Sequence, residues 1–325
     1  MKTKEKVDIL KLADEIINGR QLNREDDLSF FLDCDLEELC CGANKIREKL
    51  VGPFVDLCSI VNAKSGNCSQ DCKFCAQSSY YETGCKKYGF LDKEEILKAC
   101  EFNVKNKVHR FCIVTAGKSL EGEDFEKAVE TIRALKEKYN IKFCASMGFL
   151  TKEQLQRLKD AGLTTYHHNI ETSRRNFPNI TTKHTYDMKL KTIKYVKEVG
   201  LRACSGGIFG LGETFEDRLD MAISLSELEV DSIPINILTP VRGTPFENNE
   251  ILKEDEVLRT IAMFRYINKN AEIRLAGGRS YLKNFGEFAF KCGASALIVG
   301  NMLTKNVDVS IKNDIEMLTK IKRKV

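Results

Sequence analysis

The sequence has no excess of one charge: 51 Lys and Arg stand against 47 Asp and Glu, for a formal net charge of +4. The only basic block, Lys320 to Lys324, reads as a solvated tail, so nucleic acid is not an expected partner. Long apolar runs are missing too. Met1 to Asn18 mixes Lys with Asp and Glu and lacks the unbroken apolar core of a signal peptide, and no later run is long enough to span a bilayer. A cytoplasmic protein without a membrane partner is therefore expected. Proline is scarce, at five residues, and two of them fall in Thr239 to Asn249. That stretch reads as a loop at the mouth of a fold, and no linker cuts the chain.

What the chain does have is cysteine. Thirteen thiols in 325 residues, with no export signal, argue against a disulfide framework and for metal ligation. The densest group is Cys68-Ser69-Gln70-Asp71-Cys72-Lys73-Phe74-Cys75, spaced C-x3-C-x2-C. Three soft thiolates on one short loop can reach three corners of an iron–sulfur cube, which leaves the fourth iron open to a substrate or cofactor. The competing reading is a zinc knot with a fourth ligand from elsewhere. No His stands nearby to complete it, and paired C-x2-C motifs at both ends are absent. An open cluster predicts an oxygen-sensitive, coloured protein; a colourless, metal-free preparation made anaerobically with iron and sulfide would count against it.

The apolar fraction of 42% supports a real core. Helical spacing of Ile9, Leu12 and Ile16, then of Leu39, Ala43 and Ile46, predicts helices over 5–18 and 36–50. From Pro53 the pattern changes to short apolar runs alternating with amphipathic helices. Strands are expected at 54–61, 109–115, 141–146, 164–170, 201–207, 232–238, 271–275 and 295–299. Helical stripes at Phe125, Val129, Ile132, Leu135 and at Val257, Ile261, Phe264, Ile267 lie between them, and Thr151 with Gln154 forms a capping box. Eight strands with intervening helices predict an α/β fold, a parallel (β/α)8 TIM-type barrel over 53–305, with an N-terminal helical extension over 1–52 and a C-terminal tail over 306–325. The three-cysteine loop follows the first strand, so it falls on the reactive C-terminal face.

Strands carry further thiols. Phe111 and Ile113 alternate with Cys112, and Phe143 with Cys144, which sends both thiols inward. Cys204 lies on strand five, and Arg274 has inward parity on strand seven. Each Cys could be a small buried hydrophobe and Arg274 could pair with a carboxylate. Together they suggest a second metal site in the barrel, with Arg274, on physics alone, a counter-charge to an anionic cluster.

Cys68, Cys72 and Cys75 resemble the signature of the radical S-adenosylmethionine superfamily, in which the open iron chelates the cofactor and an aromatic at the place of Phe74 flanks the adenine. Arg202 to Glu213, Pro234-Ile235-Asn236 and Ile273 to Arg279 resemble the biotin synthase family, over about Ala43 to Thr304. The resemblance implies a 4Fe–4S cluster at the loop and an auxiliary 2Fe–2S cluster held by Cys112, Cys144, Cys204 and, as a true ligand, Arg274. It also implies that the inner cluster is the sulfur source and is consumed. The spare cysteines, Cys34, Cys40, Cys41, Cys58, Cys85, Cys100 and Cys292, leave its nuclearity open; Cys292, just before the last strand, could lie near the barrel.

His167, Asn169 and Glu171 share a parity on strand four, and Asn236 comes from strand six. Amides inside a barrel need partners, since an unsatisfied one costs about 1 to 3 kcal/mol, and substrate hydrogen bonds would supply them. Glu171 could accept both hydroxyls of a ribose. The resemblance implies the same: Asn169 and Asn236 near the ureido ring of dethiobiotin and the cofactor, Glu171 at the ribose in place of the usual Asp, and Thr304 near the substrate carboxylate. Gly206, Gly207, Gly210 and Gly212 permit close backbone approach to a ligand, and the family packs the pattern around Ile208 along the adenine. His168 reads as structural. Sulfur insertion into dethiobiotin through a 5'-deoxyadenosyl radical is the activity implied, with a flavodoxin- or ferredoxin-type electron donor and a homodimer as partners. The rivals are another radical S-adenosylmethionine barrel, such as a hydrogenase maturase relative, and a non-catalytic iron–sulfur protein.

Overall fold

The computed structural model describes residues 7–300 and 310–325. Among them, nine parallel strand segments run in chain order: β1 Asp56–Lys64, β2 Arg110–Thr115, β3 Lys142–Ser146, β4 Thr165–His167, β5 Arg202–Cys204, β6 Gly207–Phe209, β7 Ser232–Ile237, β8 Glu272–Leu275 and β9 Ala296–Ile298. Neighbours pair in sequence, β9 pairs with β1, and β5 and β6 both pair with β7, so the sheet closes. Eight barrel positions result, as expected.

The fifth position differs from a single strand over 201–207. It is broken at Ser205-Gly206, because Glu171 bridges to Gly207 there and the Glu171 N–H takes the Gly206 carbonyl. A Cβ on Gly206 would overlap the Pro234 carbonyl oxygen, and one on Gly207 the Glu171 carbonyl oxygen. These two glycines therefore let the protein's own backbone pack closely at this point.

The helices are α1 Ile9–Ile17, α2 Leu36–Leu50, α3 Lys93–Lys105, α4 Gly122–Lys138, α5 Lys152–Asp160, α6 Phe177–Ile180, α7 Tyr186–Glu198, α8 Phe215–Glu227, α9 Glu254–Ile267 and α10 Ile311–Lys320. Their starts follow from caps: Asp8 accepts from the Lys11 N–H at 2.9 Å, Asp35 from Glu38 at 2.9 Å, and Thr151 and Gln154 form the expected box. In α4, Phe125, Val129, Ile132 and Leu135 are all buried against the barrel. Helix α9 is buried nearly all round because α2 packs across its outer face, and Tyr266 donates to the Ile9 carbonyl at 3.0 Å. At the C-terminus, the buried Arg279–Asp314 pair ties α10 to the barrel, and Phe54 bridges to Lys324. No helix among the described residues is long and apolar enough to cross a membrane.

Candidate metal centres in the barrel

The loop leaving β1 carries Cys68, Cys72 and Cys75, and its backbone is held from several sides. The Cys68 N–H donates to the Gln77 carbonyl at 3.0 Å, Ser79 donates to the Cys68 carbonyl at 2.8 Å, and Cys75 to the Cys72 carbonyl at 2.9 Å. Asp71 accepts from the Thr181 hydroxyl at 2.6 Å and from the Thr182 and Lys183 N–H groups. His184 meets Gln70 at 2.9 Å. This network docks the loop on the segment after α6 and keeps Cys72 near Cys75, and Cys75 near Cys68, closely enough for their charges to interact.

Burial pushes the Cys72 thiol up to about 12 and the Cys75 thiol up to about 11, so without a cation both are neutral. A metal cluster would displace those protons, which is the donor chemistry an iron–sulfur cube requires. Among the described residues, no three His, Cys, Asp or Glu side chains gather tightly enough to hold a single ion. Thiolates around a cluster are spread over its corners and need no such point.

Sequence reasoning missed Lys189. It is buried on α7, 3.7 Å from Glu171, and its charge lowers Cys72 against the effect of burial. In the sequence it is one of four lysines on α7 and looks like part of a solvated face. Glu171 itself has φ +71, left-handed for a non-glycine, a costly conformation that the break in strand five holds in place.

Deeper in, Cys112 and Cys144 sit side by side in register on β2 and β3, as their parity predicts. Cys112 hydrogen-bonds Cys144, which pushes the Cys112 thiol up and holds the Cys144 thiol down. The Cys204 sulfur lies 3.3 Å from His167 Nδ1. Cys58, from β1, packs directly against Cys112 and Cys144. In the sequence it counts among the spare thiols, because Leu57, Ser59, Ile60 and Val61 around it give no alternation. Its shared parity with Asp56 was the available signal.

Below the thiols lies a charged floor. Arg274 and Arg110 are each 3% exposed and share the Asp56 carboxylate, at 2.6 and 3.2 Å. Arg274 also reaches Glu272 at 3.0 Å, so it does pair with carboxylates. Burial works against the Asp56 charge, but Arg274 and Arg110 overcome it and hold its pKa at about 2.

The matching family models decide what kind of barrel this is. A model of the radical SAM superfamily matches residues 63–225, and one of the biotin and thiamin synthesis associated domain matches 234–323. A biotin synthase of Clostridium beijerinckii is 57% identical over 294 residues, 90% of this chain and 93% of that protein. Another, of Alkaliphilus metalliredigens, is 53% identical over 315 residues, 97% and 99% of the two chains. The chain belongs to the biotin synthase family. Methylornithine synthase (TM-score 0.84, 20% identity, 96% of each chain) and a maturase of the FeFe-hydrogenase (0.82, 19%, 96% and 74%) share its fold.

Among the residues that resemble the family's ligand contacts, the structure brings Asn169, Glu171, Ile208 and Asn236 together at the β4–β6–β7 edge. Ile208 is in register with Asn236, and its N–H donates to the Glu171 carbonyl at 2.9 Å. The amides are not waiting for a substrate, however. Asn169 accepts from the Gly206 N–H at 3.0 Å, and Asn236 donates to the Gly207 carbonyl and accepts from the Gly277 N–H, both at 3.0 Å. Each has an N–H or lone pair left over for a ligand. Glu213 is spent on its own loop, accepting from Gly210, Leu211 and Arg218. Phe74 packs against the main core, and His168 is buried, its Nε2 without a hydrogen-bond partner among the described residues.

Two expectations fail or go unanswered. Cys292, whose place the sequence leaves open, does not join the inner thiols but forms a disulfide with Cys40 of α2, a single exception to the expectation of no disulfide framework. The two are 252 residues apart, so the pairing depends on α2 packing beside the segment before β9. Thr304 lies outside the described residues.

Proposed function

We propose that this chain inserts sulfur into dethiobiotin to form biotin, as a radical S-adenosylmethionine enzyme. What carries the reading is the coexistence, in one closed barrel, of a three-thiol loop at the mouth and a group of buried thiols inside, in a chain 57% identical to a biotin synthase. An electron carrier would need neither the open ligand position nor a second thiol group. The hydrogenase maturase rival rests on fold alone, at 19% identity.

Cys68, Cys72 and Cys75 would hold a 4Fe–4S cluster, and Cys112, Cys144 and Cys204 an auxiliary one. When bound, these groups supply one electron to cleave S-adenosylmethionine into methionine and a 5'-deoxyadenosyl radical, and a sulfide for the new thiophane ring. The chain's own work is placement and exclusion of water. Glu171, fixed by its strained backbone, would accept the ribose hydroxyls; Lys189 beside it would face an anionic group of the cofactor. The free N–H of Asn236 and lone pair of Asn169 would orient the cyclic urea between cofactor and inner thiols. Phe74 and Ile208 would bracket the adenine, and Thr304 would meet the substrate carboxylate. The 53–305 barrel would carry the chemistry, with 1–52 and 306–325 as its flanking cover. The resemblance further supports a cytoplasmic homodimer reduced by a flavodoxin- or ferredoxin-type donor.

The test is a single anaerobic turnover of reconstituted protein with dethiobiotin, S-adenosylmethionine and reductant. Biotin should form, and Cys204→Ala should abolish biotin while still releasing 5'-deoxyadenosine. Normal biotin from Cys204→Ala would remove the inner site from the reaction.

A further inference from the structure

Cys58 is one of the seven thiols that neither the motif nor the resemblance assigns. It projects from β1 into the barrel and touches Cys112 and Cys144, with Ile60 and Val114 closing the group from above. Its register partner on β2 is Arg110, so it stands directly over the charged floor. Cys204 completes the set from β5, near enough to Cys112 and Cys144 for their charges to interact. Four thiols on β1, β2, β3 and β5 therefore face one interior volume.

Arg274 is not free to join them. A guanidinium has five N–H donors, and all five are engaged. Nη2 donates to Asp56 Oδ2 at 2.6 Å and Glu272 Oε2 at 3.0 Å; Nη1 donates to the Asp56 and Leu297 carbonyls at 3.0 and 3.3 Å; Nε reaches Ser232 Oγ at 3.4 Å. A guanidinium ligates metal only after losing a proton, and two carboxylates hold this one charged. Arg110 differs: its Nη2 is buried and has no hydrogen-bond partner, though Glu272 lies 4.0 Å away. Its charge acts on Cys58, Cys144 and Cys204. An orphaned cationic donor beside four thiols is what an anionic sulfur cluster would satisfy.

We propose that the inner cluster is bound by four thiolates, Cys58, Cys112, Cys144 and Cys204, with Arg274 and Arg110 beneath it as counter-charges instead of a guanidinium ligand. This rests on the reading that an inner cluster exists. Replacing a neutral or weak fourth ligand by a thiolate adds one negative charge to the cluster, which the two buried arginines offset.

The test uses the full chain with Cys68, Cys72 and Cys75 replaced by Ala, so that bound iron reports the inner site alone. After anaerobic reconstitution with iron and sulfide, Cys58→Ser and Arg274→Lys are compared with that parent by iron, sulfide and Mössbauer spectra. Cys58→Ser should lower iron and sulfide per chain by about twofold or more and shift the quadrupole doublets, while Arg274→Lys should keep both within about a fifth of the parent. The inference is overturned if Cys58→Ser keeps the parent's stoichiometry and spectrum, or if Arg274→Lys loses the cluster. Should Cys58→Ser fail to fold by circular dichroism, Arg274→Lys decides alone. A parent that takes up no iron at all overturns this inference together with the inner-cluster reading, an outcome distinct from loss in one variant.

Discussion

Asp56 is the residue on which the barrel floor depends. Two guanidiniums buried to 3% exposure share its carboxylate. Removing one partner of a buried ionic group leaves the others charged and unpaired, a loss of about 3 to 5 kcal/mol. Asp56→Ala should therefore cut the urea unfolding free energy by that order. Glu126→Ala, which breaks an exposed pair with Arg157, should leave the urea midpoint where it is. Equal effects of the two would show that the floor is not an energetic unit. At this scale much of the site was legible: parity alone turned Cys112, Cys144 and Arg274 inward. Cys58 was hidden because a strand buried on both faces shows no alternation. Lys189 and the Cys40–Cys292 pair were hidden because long-range packing, not local pattern, brings them to their partners.

Among the elements, the break between β5 and β6 matters most to the site. It lets Glu171 bridge to Gly207 with φ +71 and brings Asn169 and Asn236 onto the same turn of backbone. A Cβ at Gly207 would collide with the Glu171 carbonyl and the Met221 side chain. Gly207→Ala should destabilise the fold by about 1 to 3 kcal/mol, and should weaken S-adenosylmethionine binding by equilibrium dialysis more than Glu171→Gln does, because it displaces backbone as well as carboxylate. Binding left intact in Gly207→Ala would mean that the break does not position the cofactor. The sequence pattern predicts a single strand over 201–207, from the short apolar run that begins at Leu201 and Ala203; the glycines are visible there, but not that the chain's own carbonyls are what they have to clear. The helices were more readable: α2 begins and ends where its spacing predicts, and the Thr151 box forms.

For the whole molecule, the four histidines share one behaviour. Burial lowers His109, His167 and His168, and holds His184 down at about 4. The unfolded chain, with ordinary histidines, binds more protons than the folded one below about pH 6.5. Stability is therefore highest above that pH and falls on acidification, each histidine adding up to about 1.4 kcal/mol per pH unit until its folded-state pKa is reached. The urea midpoint should drop between about pH 7.5 and about pH 5.5, and less steeply in His184→Gln. A midpoint that holds or rises over that interval would contradict the burial of these rings.

The barrel as a whole keeps a thiol loop at its mouth and a thiol group in its interior, and the proposed chemistry needs both to carry iron and sulfide at once. The direct measurement is Mössbauer spectroscopy with iron and sulfide analysis on the full chain, reconstituted anaerobically with isotopically enriched iron, before and after one turnover. Two sets of signals should be present at the start, and only the set that survives Cys68, Cys72 and Cys75 replacement should fade as biotin forms. A single cluster species, or two that both persist while biotin accumulates, would contradict the account.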